Sequence, residues 1–499
     1  MIRKAKKLII YIILLSMVLI PKDRVSAESE SYTYTYEYFD FQLESPDAYT
    51  PQALLLGTDL GIGDFNNPKS LFVRDEYLYI VDSGNNRIVV VDRYFELIRV
   101  IDKVIMDGEE VTFLNPSDVY VTANGDMYIC DADNNRVLHT DADLNVIKTY
   151  VKPDDPTVLG ETNFIPLKCV VDKAGRLFVL AGNVNQGFME FDKEGNFTNF
   201  TGANPVKATL WQALQKRLMT KEQRARMILF VPTEYSNLAI DKDDFLYATT
   251  NTFTTDQLAT MKTVNPVRKL NSIGEDILVR NGYEPPIGDL QWGAGGDMTG
   301  PSRFEDVTAM DNDTYFCLDR NRGRIFGYDF QGNMLYAFGG AGNKLGYFQY
   351  PISIEHMGTD LFVLDNRAVS VTRFTLTEFG KYINEGLALY KEGLYEESAE
   401  YWKKALRLNG NYDLAYIGIG RALLRKGEYQ EAMKYFKSKR DYNNYSKAFA
   451  EYRKEWVEEN IQYLLIGAAA LVIVPLVISK ILKRFKGGAA NYERKDRDL

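Results

Sequence analysis

Along residues 53–376 the apolar positions come in short runs, most of them bounded or interleaved by polar residues. Leu71-Phe72-Val73, Tyr79-Ile80-Val81 and Ile88 to Val91 are typical, and each run stops near Gly, Asn or Asp. Runs of this length with this punctuation predict β-strands joined by tight turns. From about Phe379 the apolar spacing becomes helical. Two longer apolar stretches, Leu8 to Ile20 and Tyr463 to Ser479, carry no charge at all.

The strand region repeats itself about every fifty residues. Phe65-Asn66-Asn67-Pro68 returns as Phe113-Leu114-Asn115-Pro116, and more weakly as Phe164-Ile165-Pro166 and Phe348-Gln349-Tyr350-Pro351. The second strand of each unit closes on Asp, at Asp82, Asp131, Asp319 and Asp365. A loop follows, Ser83-Gly84-Asn85-Asn86-Arg87 in the first unit and Ala132-Asp133-Asn134-Asn135-Arg136 in the second. Third strands end at Asp92, Asp141, Asp192 and Asp329, and a fourth comes after. Four short strands per unit make one propeller blade.

These motifs resemble the NHL repeat, which pairs an Asn-Pro entry with an Asp-Ser-Gly-Asn-Asn-Arg loop. The resemblance covers about residues 50–376 and implies a six-bladed β-propeller, whose weakest unit lies near Asn237 to Tyr247. Asp82, Arg87, Asp131, Arg136, Asp319 and Arg324 recur from blade to blade, which suits residues that tie loops together. Ala53 to Leu56 has the sequence of an outer strand but no blade before it. It is expected to complete the sixth blade by pairing near Val369 to Phe374, so that no sheet edge stays open.

Gly386, Gly393, Tyr395, Ser398 and Trp402 return 34 residues later as Gly420, Gly427, Tyr429, Ala432 and Phe436. With Tyr390 and Ala405, they resemble the tetratricopeptide (TPR) pattern, in which small residues let paired helices approach. Lys439 and Gly410 depart from it. The resemblance implies two TPR units over 377–440 and a role in protein contact. Because two units are fewer than usually stand alone, they are expected to pack on the propeller or a partner.

The ends of the chain are basic. Arg3, Lys4, Lys6 and Lys7 precede the first apolar stretch, and Val25-Ser26-Ala27 follows it, the layout of a signal peptide over 1–27. An uncleaved anchor is the alternative. The second stretch, extended by Ile461 and Ile481-Leu482, reaches the length of a membrane span over 461–482. Trp456 and Tyr463 suit a headgroup layer, while Lys480, Lys483, Arg484 and Lys486 place 483–499 in the cytoplasm. Residues 28–52 form a Tyr-rich segment and 441–460 a linking helix. The fold class expected is therefore mainly β: a propeller, then a helical TPR pair and one C-terminal transmembrane helix.

The net charge is −9, and both termini are basic, so the exterior part is more acidic still. That balance excludes a nucleic-acid partner. Three Cys cannot build a disulfide framework; Cys130, Cys169 and Cys317 fall in strands and are expected to be buried thiols. Two His, His139 and His356, do not make a multi-histidine metal centre.

Two clusters remain as candidates. Two places after each blade entry the first strand should face the central channel, giving Ser70, Asp118, Lys168, Asn237, Asp306 and Ser353. Such oxygens either line a polar, watery channel or hold a hard cation such as Ca²⁺. In the second case they are similar to the channel site of lactonase-type six-bladed hydrolases, although Lys168 and the lack of a matching Glu fit that poorly. Long insertions, 201–231 and 279–300, should share the rim formed by connections between blades. The first is basic, and Lys216, Arg217, Lys221 and Arg224 either meet an acidic partner or form a solvated helix face.

The expected function is an extracytoplasmic, membrane-anchored binding or scaffold protein without a resident cofactor, possessing a propeller face and TPR repeats for ligand or protein contact. An accessory role in a transport or envelope complex fits, and a metal-dependent hydrolase is the alternative.

Overall fold

The computed structural model describes residues 33–37, 41–155, 158, 164–182, 184, 186–202, 234–251, 265–282, 285–289 and 301–495. The leader expected over 1–27 and the basic residues Lys216, Arg217, Lys221 and Arg224 lie outside them. The chain divides into two compact units, Met1–Lys381 and Tyr382–Leu499.

The first unit is a six-bladed β-propeller. Blade 1 runs through Ser70–Arg74, Tyr77–Asp82, Arg87–Asp92 and Leu97–Ile101 as an antiparallel meander. Blades 2 and 3 repeat that order, starting at Asp118–Val121 and Pro166–Val171. Blade 4 has three described strands, Asn237–Ile240, Leu246–Thr249 and Val267–Leu270. Blades 5 and 6 begin at Phe304–Ala309 and Pro351–Met357.

Strand alternation explains how one blade serves two neighbours. In blade 1, Leu78 and Ile80 join Val89 and Val91 against Phe362 and Leu364 of blade 6. The intervening Tyr79, Val81, Ile88 and Val90 face Val119, Val121 and Ile129 of blade 2. Both faces are thus covered, and continuous apolar runs replace the alternation of a one-sided sheet.

Ring closure follows the expected pairing. Tyr49–Leu56 is the outer strand of blade 6, antiparallel to Ser370–Leu376, with Leu55 opposite Val371. Two additions had no sequence signal of their own. Tyr34–Tyr36 pairs with the outer strand of blade 5 and Gln42–Glu44 pairs with it in turn, giving a six-stranded sheet. A hairpin of Lys103–Met106 and Glu109–Thr112 stands between blades 1 and 2.

The second unit is helical: α1 (Glu378–Lys391, which begins in the first unit), α2 (Tyr395–Leu408), α3 (Asp413–Lys426), α4 (Tyr429–Ser438) and α5 (Tyr442–Lys495). The small positions act as expected. A Cβ on Gly386 would meet the Trp402 ring at 3.0 Å, and one on Gly420 would meet Phe436 at 2.7 Å. Lys439, the departure from the repeat, reaches Asp413 at 2.7 Å and lies over the Tyr416 ring. The linking segment and the apolar stretch form one uninterrupted helix, α5, with Pro475 inside it. Among the described residues it is the one helix long and apolar enough to cross a membrane.

Closure by an N-terminal strand makes its apolar contacts testable. Leu55 is 2% exposed among Leu71, Leu78 and Val371. Leu55→Ala should cost about 2–5 kcal/mol in denaturant unfolding of the full chain, and an unmoved midpoint would mean the ring does not depend on this strand.

Candidate functional site in the propeller channel

Residues two apart on a strand share a face, so each first strand stacks side chains toward the channel. The innermost set is the one expected, and the structure brings it together. Ser70 Oγ donates to Asp118 Oδ1 at 2.6 Å, and Lys168 Nζ donates to Ser70 Oγ at 2.8 Å. Lys168 also lies 3.3 Å from Asp118, whose other oxygen accepts from the Cys169 N–H. Across the channel Asp306 Oδ2 accepts from Ser353 Oγ and the Ile354 N–H, each at 2.8 Å. Its Oδ1 accepts from the Val307 N–H and the Asn237 side-chain amide. Ser353 Oγ accepts from the Leu71 N–H at 3.2 Å.

These acids bind blade to blade. Asp118 joins blades 1, 2 and 3, and Asp306 joins blades 4, 5 and 6. All four carboxylate oxygens are engaged by protein donors, and an ammonium sits among them. A Ca²⁺ ion would have to displace those donors and meet Lys168, so the ring does not fit one.

Beyond the ring the channel widens into a cavity of about 720 Å³. Phe72, Tyr120, Val170, Ala239, Thr308 and Glu355 line its middle. The turns between first and second strands form its mouth, including Asp75, Asn124, Lys173, Lys242 and Asp244. This mouth lies at the rim opposite the connections between blades, where the long insertions attach. The expectation of a ligand face on the inserted rim therefore does not coincide with the cavity.

Glu355 is the residue that the sequence pattern missed. It stands two positions beyond Ser353, one step further along the same face, and no counterpart in the other blades is acidic. Burial, then the neighbouring Asp306, pushes its carboxyl up to about 8, against the pull of Lys168. Thr308 Oγ1 lies 3.4 Å from Glu355 and 2.7 Å from His356 Nδ1. Burial lowers the proton affinity of His356, keeping the ring neutral. For Lys168 burial works against the charge, but Asp118, Asp306 and Glu355 outweigh it and hold the ammonium protonated.

The remaining candidates are structural. Asp82 Oδ2 accepts from Arg87 at 2.7 Å while Oδ1 takes the Asn66 N–H of the entry loop. Asp131 does the same with Arg136 and the Leu114 N–H, and Asp319 takes the Arg303 N–H. Arg324 Nη1 donates to the Gly339 carbonyl. Gly84 is required where this loop crosses, because a Cβ there would meet Asn66 at 2.6 Å.

Cys130, Cys169 and Cys317 are buried free thiols, as expected. Ligand atoms of Asp118, Cys130 and Cys169 lie within 4.8 Å of one another. Burial raises both thiols and keeps them protonated, and Asp118 is already committed, so the trio packs as core rather than as a thiolate metal centre. His139 stacks on Tyr128 at 4.1 Å, with Nε2 3.7 Å from Asp126.

No protein-family model and no curated protein matches the chain. Solved structures similar to it include virginiamycin B lyase from Staphylococcus aureus, at 13% identity and TM-score 0.40, covering 66% of this chain and 100% of that one. A protein of unknown function from Bacteroides thetaiotaomicron has 10% identity and TM-score 0.40, with 70% and 77% covered. The extracellular domain of a one-component system from the same organism has 11% identity and TM-score 0.32, with 62% and 33% covered. At these values the likeness assigns no activity.

Glu355 has a raised carboxyl, so the folded state holds a proton that the unfolded chain releases in the ordinary carboxylate range. Stability should therefore fall as pH rises from that range through about 8. Glu355→Gln removes this loss. The variant should match the wild type near pH 4 and exceed it by roughly 2 kcal/mol at pH 9, allowing for solvent in the cavity. Equal stabilities at both pH values would show that Glu355 titrates normally.

Proposed function

We propose that the chain is an extracytoplasmic, membrane-anchored binding protein that receives a small ligand in the propeller channel. The observation that carries this reading is the cavity of about 720 Å³, open at the turn rim and capped inside by a ring whose carboxylates are already satisfied. Such a volume and mixed lining suit a small-molecule site. We read the blades as NHL repeats and the helical hairpins of the second unit as a TPR pair offering a protein-contact surface. The basic residues Lys216, Arg217, Lys221 and Arg224 remain a proposed docking patch for an acidic partner.

Anchoring by α5, with the cationic cluster after Ser479 inside, gives the proposed orientation. A transport or envelope complex is a setting that such a molecule suits. The hydrolase alternative draws on the raised proton affinity of Glu355, which fits an acid–base group. Against it stands the engagement of the ring oxygens that a metal would need.

The test uses the full chain in nanodiscs. A metabolite library should yield a ligand that raises the melting temperature, by about 2.7 kcal/mol of stability at a hundredfold excess over Kd. Ala239→Trp, which fills the cavity, should abolish the shift. Turnover of esters or lactones, lost in Glu355→Gln, would instead establish the enzyme.

A further inference from the structure

The inner channel gathers more carboxyl groups than cations to pair with them. At the inner end Lys168 faces three carboxylates, Asp118, Asp306 and Glu355. Its ion pair is with Asp118, at 3.3 Å. Asp306 spends its oxygens on the neutral donors of Asn237, Val307, Ser353 and Ile354. Glu355 has a hydroxyl, Thr308, at 3.4 Å and no cationic partner within ion-pair distance among the described residues.

The mouth carries both signs, with carboxylates that lack ion-pair partners beside cations that hydrogen-bond elsewhere. Asp75, Asp244 and Asp311 line it without an ion-pair partner among the described residues, and Asp126 has only the weakly basic His139 at 3.7 Å. The cations of the mouth are turned to other tasks. Arg74 Nε donates to the Val121 carbonyl at 2.7 Å, and its guanidinium lies over Phe72 and Tyr120. The ammonium groups of Lys173 and Lys242 donate to the backbone carbonyls of Lys242 and Asp311.

Between these charged ends four of the six first strands add apolar surface. Phe72 and Tyr120 pack ring to ring at 4.9 Å, and Val170 and Ala239 continue the surface. Without a counter-charge the Glu355 carboxyl keeps its proton up to about 8, and a cationic ligand can supply the partner beside which it ionises.

We propose that the cavity binds an organic ammonium, its apolar body against Phe72, Tyr120, Val170 and Ala239 and its cationic group beside Glu355 and Asp306. An anionic ligand meets the excess carboxylates and is repelled. A hard divalent cation leaves the apolar wall unused. This inference rests on the binding role proposed above and names the class of ligand.

The experiment compares three probes of one shape, 4-phenylbutylamine, 4-phenylbutanol and 4-phenylbutyrate, by calorimetric titration of the full chain in nanodiscs. The amine should bind about tenfold more tightly than the alcohol, the factor one charge-assisted hydrogen bond supplies, and the carboxylate most weakly. Glu355→Gln should remove most of that preference by weakening the amine, and Ala239→Trp should block both. The wild-type ranking stands by itself if a variant fails to fold. Equal binding of amine and alcohol, with both blocked by Ala239→Trp, overturns cation selectivity and leaves the binding role standing. A preference for the carboxylate overturns the proposal likewise. Binding of none of the three overturns both.

Discussion

Strands covered on both faces are the constraint on which the propeller depends. In blade 1 the second and third strands divide their side chains between the cores shared with blades 6 and 2, and almost none reaches water. Blade 6 has three strands of its own, and the apolar third one, with Val371, is covered when Tyr49–Leu56 returns from the start of the chain to pair with it. The hairpin built on Tyr34–Tyr36 adds to a blade 5 that already has four strands, and it is pinned by Tyr34 and Tyr36 donating to the buried Asp289.

Buried carboxylates then do the joining that apolar packing leaves undirected. Asp82 and Asp131 fix entry loops through main-chain N–H groups and their own Arg. Asp118 and Asp306 fix first strands to both neighbouring blades. A buried carboxylate holds directional bonds only when every oxygen is satisfied, and these four are. The consequence for function is that the ring is structural. Open chemistry starts one step further out, at Glu355, where the strand faces a cavity and no cation among the described residues lies within ion-pair distance.

The sequence made the ring legible because a period of two residues on a first strand leaves little freedom about what faces the channel. Ser70, Asp118, Lys168, Asn237, Asp306 and Ser353 could be named from blade entries alone. Their role was not legible, since an Asp beside a channel reads equally as ligand or as brace until its donors are known. Glu355 escaped because it occurs in one blade, and repeat analysis attends to what recurs. The cavity was not legible either: length and charge are visible in a sequence, whereas an opening among short turns such as Asp75 and Asp244 is not.

By itself, then, the chain determined its blades, its closing strand, its glycine-spaced helices and its apolar span, because each is written in local period and spacing. The length of α5 as one continuous helix, the two extra strands on blade 5 and the commitment of Asp118 and Asp306 were decided by tertiary structure. So was the charge imbalance around Glu355. Each of these depends on groups distant in sequence, and on how many donors or counter-charges arrive when the ring closes.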